Sequence, residues 1–173
     1  MKRNRGYGSS QKATPQDIPT IMSIVRACIE DMQADGIDQW DKVYPDRETF
    51  ESDIAGKTLY VVKSQGICRG LIALDNNQPP EYDHVNWHFH GKNVAVVHRL
   101  MIDPIVQGQG LAGYVMDFIE EEARQQGFNV IRRDAFSQNP RAIRLYTKRN
   151  YRIAGTVRFR KGMFQCFEKD LHR

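Results

Sequence analysis

Apolar residues recur at helical spacing over Ile18, Ile21, Met22, Val25, Cys28, Ile29 and Met32, which predicts an amphipathic helix near the start of the chain. Thr14-Pro15-Gln16-Asp17 supplies its start, with Thr as cap, Pro at the first helical position and an acid in the first turn. A short second helix is expected from Asp46, with Phe50 and Ile54 inward and Gly56 as its stop. The pattern then changes to β-branched apolar runs, Thr58 to Lys63 and Ile67 to Asp75, joined by the hairpin turn Ser64-Gln65-Gly66. Asn76 to Lys92 is a polar excursion, and Val94 to Ile102 is the next strand. Leu111, Val115, Phe118, Ile119 and Ala123 form an inward stripe, with Asp117, Glu120, Glu121 and Arg124 assigned to solvent and Gly127 ending the helix. Phe128 to Asp134 completes a parallel strand–helix–strand unit. Asn139-Pro140 opens a fourth helix that Asn150 terminates, and a hairpin of Tyr151 to Phe159 and Met163 to Glu168 closes the chain. With Gln11 to Ala13 as a short edge strand, the sum is an α/β (α+β mixed) fold. Its sheet has about seven strands, mostly antiparallel with one parallel crossover, flanked by about four helices.

The bulk numbers narrow this picture without redirecting it. A chain of 173 residues, 40% apolar and 27% charged, is expected to form one globular domain. Residues 1–10, rich in Gly, Ser and Arg, read as a flexible tail before a single domain over 11–173. No apolar run reaches membrane-spanning length and the N-terminus has no apolar signal core, so no membrane partner and a cytoplasmic location are expected. Cys28, Cys68 and Cys166 form no CxxC pair, which speaks against a disulfide frame or a zinc ribbon. His84, His88 and His90 sit in the polar excursion without a supporting ligand cluster. They read as solvated, and no metal site is expected. The net charge of +4, with basic residues gathered in the first five positions, is too weak to argue for nucleic acid and suits a polyphosphate ligand.

The chemistry concentrates in Val94 to Gly113, VAVVHRLMIDPIVQGQGLAG. Pro104 ends strand pairing because it has no N–H to offer. Gln107-Gly108-Gln109-Gly110-Leu111-Ala112 then runs straight into a helix. Glycines there let a ligand approach the backbone and turn free N–H groups towards it, and the helix dipole adds to the attraction for a pyrophosphate. Two patterns compete. Gly108, Gly110 and Gly113 satisfy the dinucleotide motif GxGxxG, with Asp134 at a ribose-contact distance in sequence. Yet five residues separate the strand from the first glycine, and the chain lacks a large parallel sheet. The alternative, Gln/Arg-x-x-Gly-x-Gly/Ala after a strand ending in Asp-Pro, is filled by Gln107, Gly110 and Ala112. A second motif lies downstream in DAFSQNPRAIRLYTKRNY, where Asn139, Ala142, Leu145, Tyr146 and Tyr151 fit Asn-x-x-Ala-x-x-Leu-Tyr followed by an aromatic. With both motifs in register over nearly the whole chain, the sequence resembles the GNAT superfamily of N-acetyltransferases. It departs from the family pattern at Asn150, usually Gly, and in having no glutamate between Val94 and Met101.

The resemblance implies direct transfer of an acetyl group from acetyl-CoA, a co-substrate, to a primary amine in a ternary complex. It also implies that Leu100, Met101 and Ile102 pair with the pantetheine arm, that Gln107 and the amides from Gly108 through Gln109, Gly110 and Leu111 to Ala112 hold the pyrophosphate, and that Asn139 contacts the cofactor. Tyr146 suits the acid that protonates the leaving thiolate. His98 is the first candidate for the base, since period-2 alternation sets it on one face with Val96 and Leu100, and Asp134 is the reserve. Trp40 and Tyr44, in the loop between the first two helices, are expected to wall the side of the small-molecule or peptide amine acceptor, with Asp134 able to bind its ammonium. A homodimer through a sheet edge or the C-terminal hairpin is the expected assembly. Two rival readings remain at this stage: a non-catalytic acyl-CoA-binding module, and a dinucleotide-binding protein.

Overall fold

Two of the four helices start under a side-chain cap of their own, one continues directly from a capped 3-10 turn, and the fourth, with no cap, faces the candidate site. The computed structural model describes residues 7–172. A 3-10 turn over Pro15–Asp17 leads into α1 (Ile18–Ala34), and Asp17 Oδ2 there accepts from the Thr14 N–H at 2.8 Å and its hydroxyl at 3.1 Å. Asp46 Oδ1 accepts from the Thr49 N–H (2.9 Å) at the start of α2 (Arg47–Ala55), and Asn139 Oδ1 from the Ala142 N–H (3.2 Å) at the start of α4 (Pro140–Lys148). By contrast, α3 (Leu111–Gln125) begins at Gly110, which is left-handed (φ 89°) and has no side chain to cap with.

The strands are β1 (Tyr7–Lys12), β2 (Leu59–Ser64), β3 (Ile67–Asp75), β4 (Val94–Ile102), β5 (Val130–Phe136), β6 (Arg152–Phe159) and β7 (Gly162–Asp170). They form one sheet in the order β1-β2-β3-β4-β5-β7-β6, antiparallel throughout except for β4 beside β5. One face carries α3 and α4: Ile72, Ala95, Ile131 and Phe167 of the sheet pack on Leu111, Val115, Ile119 and Tyr146. The other carries α1 and α2, where Val61, Leu71 and Met101 pack on Ile21, Val25 and Phe50. Burying these two apolar faces on both sides of one sheet is what holds the layers together.

The expected fold is the observed one, with local corrections. The first strand begins at Tyr7 rather than Gln11, because Tyr7 and Ser10 also find partners on β2, at Ser64 and Val62; residues 1–6 of the expected tail lie outside the described residues. The polar excursion is partly core: Tyr82, Val85 and Trp87 are buried, and the Trp87 indole N–H donates to the Tyr82 carbonyl at 3.0 Å. Glu120, assigned to solvent, is only 4% exposed and accepts from the Tyr151 hydroxyl (3.0 Å) and Lys169 Nζ (2.7 Å). At the end of α2, Gly56 stays right-handed and Lys57 takes the left-handed turn (φ 56°).

The sheet positions the site by splitting. Parallel pairing between β4 and β5 covers only Val94↔Val130, Ala95↔Ile131 and Val96↔Arg132. Beyond Val96 and Arg132 the two strands diverge. On its other side β4 carries a bulge: Ala73 faces His98 and Leu71 faces Met101, so one residue of β3 spans two of β4, and Arg99 sits at φ 54°. The bulge overturns the simple alternation. Val96 and Met101 point to the α1/α2 face, whereas Leu100 packs on the α3/α4 face, opposite to the face expected for it with His98.

Candidate active site

The split opens a cavity of about 1080 Å³, large enough for an extended ligand beside a second one. It is lined by Trp40, Tyr44, His98, Leu100, Met101, Ile102, Gln107, Gly108, Gly110, Leu111, Ala112, Asp134, Asn139 and Tyr146. All the residues singled out from the sequence therefore meet at one place except Gln109, which is exposed in the turn and is not part of the wall.

At one end lies the glycine turn. Gly108 (φ 78°) and Gly110 (φ 89°) are both left-handed, a conformation that costs other residues. Gly113 is not left-handed, and a Cβ there would meet nothing closer than an Arg149 nitrogen at 3.7 Å, so the third glycine of GxGxxG has no conformational task. The first backbone bond of α3 runs from the Tyr114 N–H to the Gly110 carbonyl (3.2 Å), which leaves the preceding amides at the positive end of the helix dipole. Gln107 braces the turn with its side chain, donating to the Ile102 carbonyl (3.2 Å) and accepting from Arg141 (3.1 Å). The Ile102 carbonyl also accepts from the Cys28 thiol (3.3 Å), so both its lone pairs are used inside the protein. Arg144 and Lys148 of α4 line the same end and form no ion pair among the described residues; the sequence reading missed both, although their i, i+4 spacing beside Tyr146 puts them on one stripe.

At the other end side chains make the wall. His98 Nε2 stands 3.0 Å from Asp75 Oδ1. Burial pushes the Asp75 carboxyl up, but the bond to His98, the His98 and Arg99 charges and the Asn77 N–H together outweigh it and leave the group below the usual carboxylate range. With an ionised Asp75 accepting from Nε2–H, the lone pair of the ring lies on Nδ1. Arg99, next in the bulge, donates to the Tyr44 hydroxyl (2.9 Å) and is paired with Asp53 of α2. Its position is set by an unusual backbone angle that no sequence pattern announced, and Asp53 and Asp75 were missed with it. Asp134 accepts from the Tyr82 hydroxyl at 2.8 Å, and its enclosure raises its carboxyl above the ordinary range despite that bond. Asn139, beyond capping α4, donates to Gln39 Oε1 (2.8 Å), which ties the loop bearing Trp40 to the rim.

Tyr146 lies between the two ends, 2% exposed, with no hydrogen bond to its hydroxyl among the described residues. Burial raises its phenol above the ordinary value; the Arg133 cation, 3.6 Å from the ring centre, acts against that rise. No three metal-ligating side chains converge among the described residues, and Cys28, Cys68 and Cys166 are free and buried. No described helix is long and apolar enough to cross a membrane.

Comparison with known proteins agrees with this geometry. An acetyltransferase from Staphylococcus aureus Mu50 is 26% identical, with a TM-score of 0.76, and the match covers 95% of this chain and 99% of that one. A GNAT family acetyltransferase from Streptococcus agalactiae superposes with a TM-score of 0.82 at 22% identity, over 94% of both chains. The yncA protein of Salmonella typhimurium, solved with its cofactor acetyl-CoA, is 18% identical with a TM-score of 0.70, over 94% of this chain and 93% of that one. No curated protein matches the sequence. A sequence model of the acetyltransferase (GNAT) family matches residues 25–151, well over half of the chain and inclusive of both motifs, so the dinucleotide reading falls and the chain belongs to the GNAT acetyltransferase family.

Proposed function

We propose that the protein transfers an acetyl group from acetyl-CoA directly to a primary amine in a ternary complex. The observation that carries the reading is the split between β4 and β5, which begins where their pairing ends at Val96 and Arg132 and opens one cavity from the glycine turn to the His98 wall. The amides of the turn and of the first turn of α3 hold the pyrophosphate, with Arg144 and Lys148 adding charge. Leu100 on the free side of β4 pairs with the pantetheine arm, while the Met101 backbone, opposite Leu71 in the ladder, is taken up by β3. Since the Ile102 carbonyl is already used by Cys28 and Gln107, only its N–H is open to that pairing.

An alkyl amine with pKa near 10.4 is neutral in only about one part in a thousand at pH 7, so its proton must be taken away. His98, oriented by Asp75, accepts that proton; Asp134 attracts the ammonium in the preceding step. The neutral nitrogen attacks the thioester carbon, a C–N bond forms and the C–S bond breaks. Tyr146 gives its proton to the departing sulfur and regains one through solvent from the base. Trp40 and Tyr44 form the apolar wall for the acceptor. The reading extends to a cytoplasmic enzyme that pairs into a homodimer through an outer strand, β1 or β6.

The test is release of CoA thiol over a broad panel of amines, with mass spectrometry of the acetylated product. Stoichiometric acetyl-CoA binding with no release on any amine would replace this reading with an acyl-CoA-binding module.

A further inference from the structure

Arg133 is a buried cation of the cavity wall whose presence the reading above leaves unexplained. It is 4% exposed. Among the described residues no carboxylate forms an ion pair with it, although it acts on the neighbouring Asp134 carboxyl through space; its Nε has no partner, and its single hydrogen bond runs from Nη1 to the Met116 thioether at 3.4 Å. A buried guanidinium compensated this poorly is expensive, and a methionine or leucine would fill the same space more stably. What it does have is the face of Tyr146, with its central carbon 3.6 Å from the ring centre. It also sits at the crotch of the split, as the first residue of β5 beyond the last parallel pair, and it lines the cavity.

We propose that Arg133 is a positioning residue for proton transfer: its guanidinium holds the Tyr146 ring in place and stabilises the negative charge left on the phenol as its proton passes to the departing thiolate. This rests on the reading of Tyr146 as the acid. In that step the C–S electron pair stays on sulfur, sulfur takes the phenolic proton, and the phenolate stands over a fixed cation until solvent returns a proton. The other titratable groups around Tyr146 are Asp134 of β5 and Tyr151, whose hydroxyl donates to Glu120. Asp134 opposes the phenolate, and Arg133 is the only cation against the ring among the described residues.

A double-mutant cycle on the full chain tests this, with Arg133→Gln, Tyr146→Phe and the pair, reading thiol release and acetyl-CoA affinity, and with Arg133→Lys retaining the charge but not the planar stack. Arg133→Gln is expected to slow turnover about tenfold when Tyr146 is present and to change it less than twofold in the Tyr146→Phe background, since a residue acting through another has nothing left to act on. Arg133→Lys should recover part of the loss. A second readout needs no substrate. The ultraviolet phenolate titration, taken as the difference between each protein and its Tyr146→Phe counterpart, should place Tyr146 ionisation at higher pH in Arg133→Gln than in the parent. Equal losses in both backgrounds, or an unmoved phenolate titration, would overturn the inference. If Tyr146→Phe alone leaves turnover unchanged, the reading of Tyr146 fails instead, and the titration still reports whether Arg133 controls the phenol.

Discussion

The two ends of the cavity are made of different material. The turn end is backbone: two left-handed glycines, a helix that starts without a side-chain cap, and amides left facing the opening. The far end is side chains from separate segments: Tyr44 before α2, His98 and Arg99 in the bulge of β4 and Asp134 in β5 line it, and Asp53 of α2 and Asp75 of β3 hold Arg99 and His98 from behind. A backbone site depends on conformation and tolerates exchange of most neighbouring side chains. A side-chain site depends on chemistry and tolerates little. The difference teaches that affinity for the common half of the reaction and chemistry on the variable half can be altered separately.

Substitutions should respect that division, and each is a way to break it. The largest effect is expected at Tyr146. Tyr146→Phe should lower turnover by about a hundredfold or more, the usual scale of a lost general acid, while acetyl-CoA affinity stays within about twofold. Parallel loss of affinity would mean that the residue belongs to the binding end. Next comes His98→Ala, expected to reduce turnover at neutral pH and to remove the acidic limb of the kcat/KM profile, again at constant acetyl-CoA affinity. A retained acidic limb would hand the role of base to Asp134. In the opposite sense, Gly110→Val forces a β-branched residue into φ 89°. At about 1–2 kcal/mol or more of backbone strain, acetyl-CoA affinity should fall at least tenfold, with the pH profile of the remaining activity unchanged.

The smallest effect concerns stability. Enclosure raises the folded-state pKa of Asp134 above its unfolded value. Folding is therefore favoured by the protonated group, an advantage fully present below the unfolded pKa and lost as pH rises through the folded one. Asp134→Asn keeps an acceptor for the Tyr82 hydroxyl and removes the buried charge. Its melting temperature should exceed that of the parent at pH 7 to 8 by the equivalent of about 1 kcal/mol, with the gain vanishing towards pH 4. A variant less stable at all pH values would show that the carboxylate is held by more than the Tyr82 bond.

The same division explains what could be read in the sequence. Gly108 and Gly110 were legible because left-handed backbone selects glycine, Asn139 and Pro140 because a helix start selects a cap, and Asn150 because its φ of 62° suits asparagine. The apolar stripe of α3 was legible from its period. Arg99 was not: the bulge that turns it towards Tyr44 and Asp53 arises from a mismatch between β3 and β4, which neither strand displays alone. That mismatch also placed Leu100 on the other face. Asp53, Asp75 and Arg133 follow no motif in the sequence; their roles come from partners distant in the chain, Arg99, His98 and Tyr146. Glu120 followed the helical period to the surface, but its partners Tyr151 and Lys169 come from the C-terminal hairpin region and cover it.

The most direct measurement is thermal unfolding with acetyl-CoA, CoA and NAD in parallel. A ligand at about a hundred times its dissociation constant adds roughly 2.7 kcal/mol of stability, a shift of several degrees for a chain of this size. The account predicts stabilisation by acetyl-CoA and CoA, its loss in Gly110→Val, its persistence in Tyr146→Phe, and no response to NAD. Absence of any shift with acetyl-CoA, or a shift with NAD alone, would contradict it.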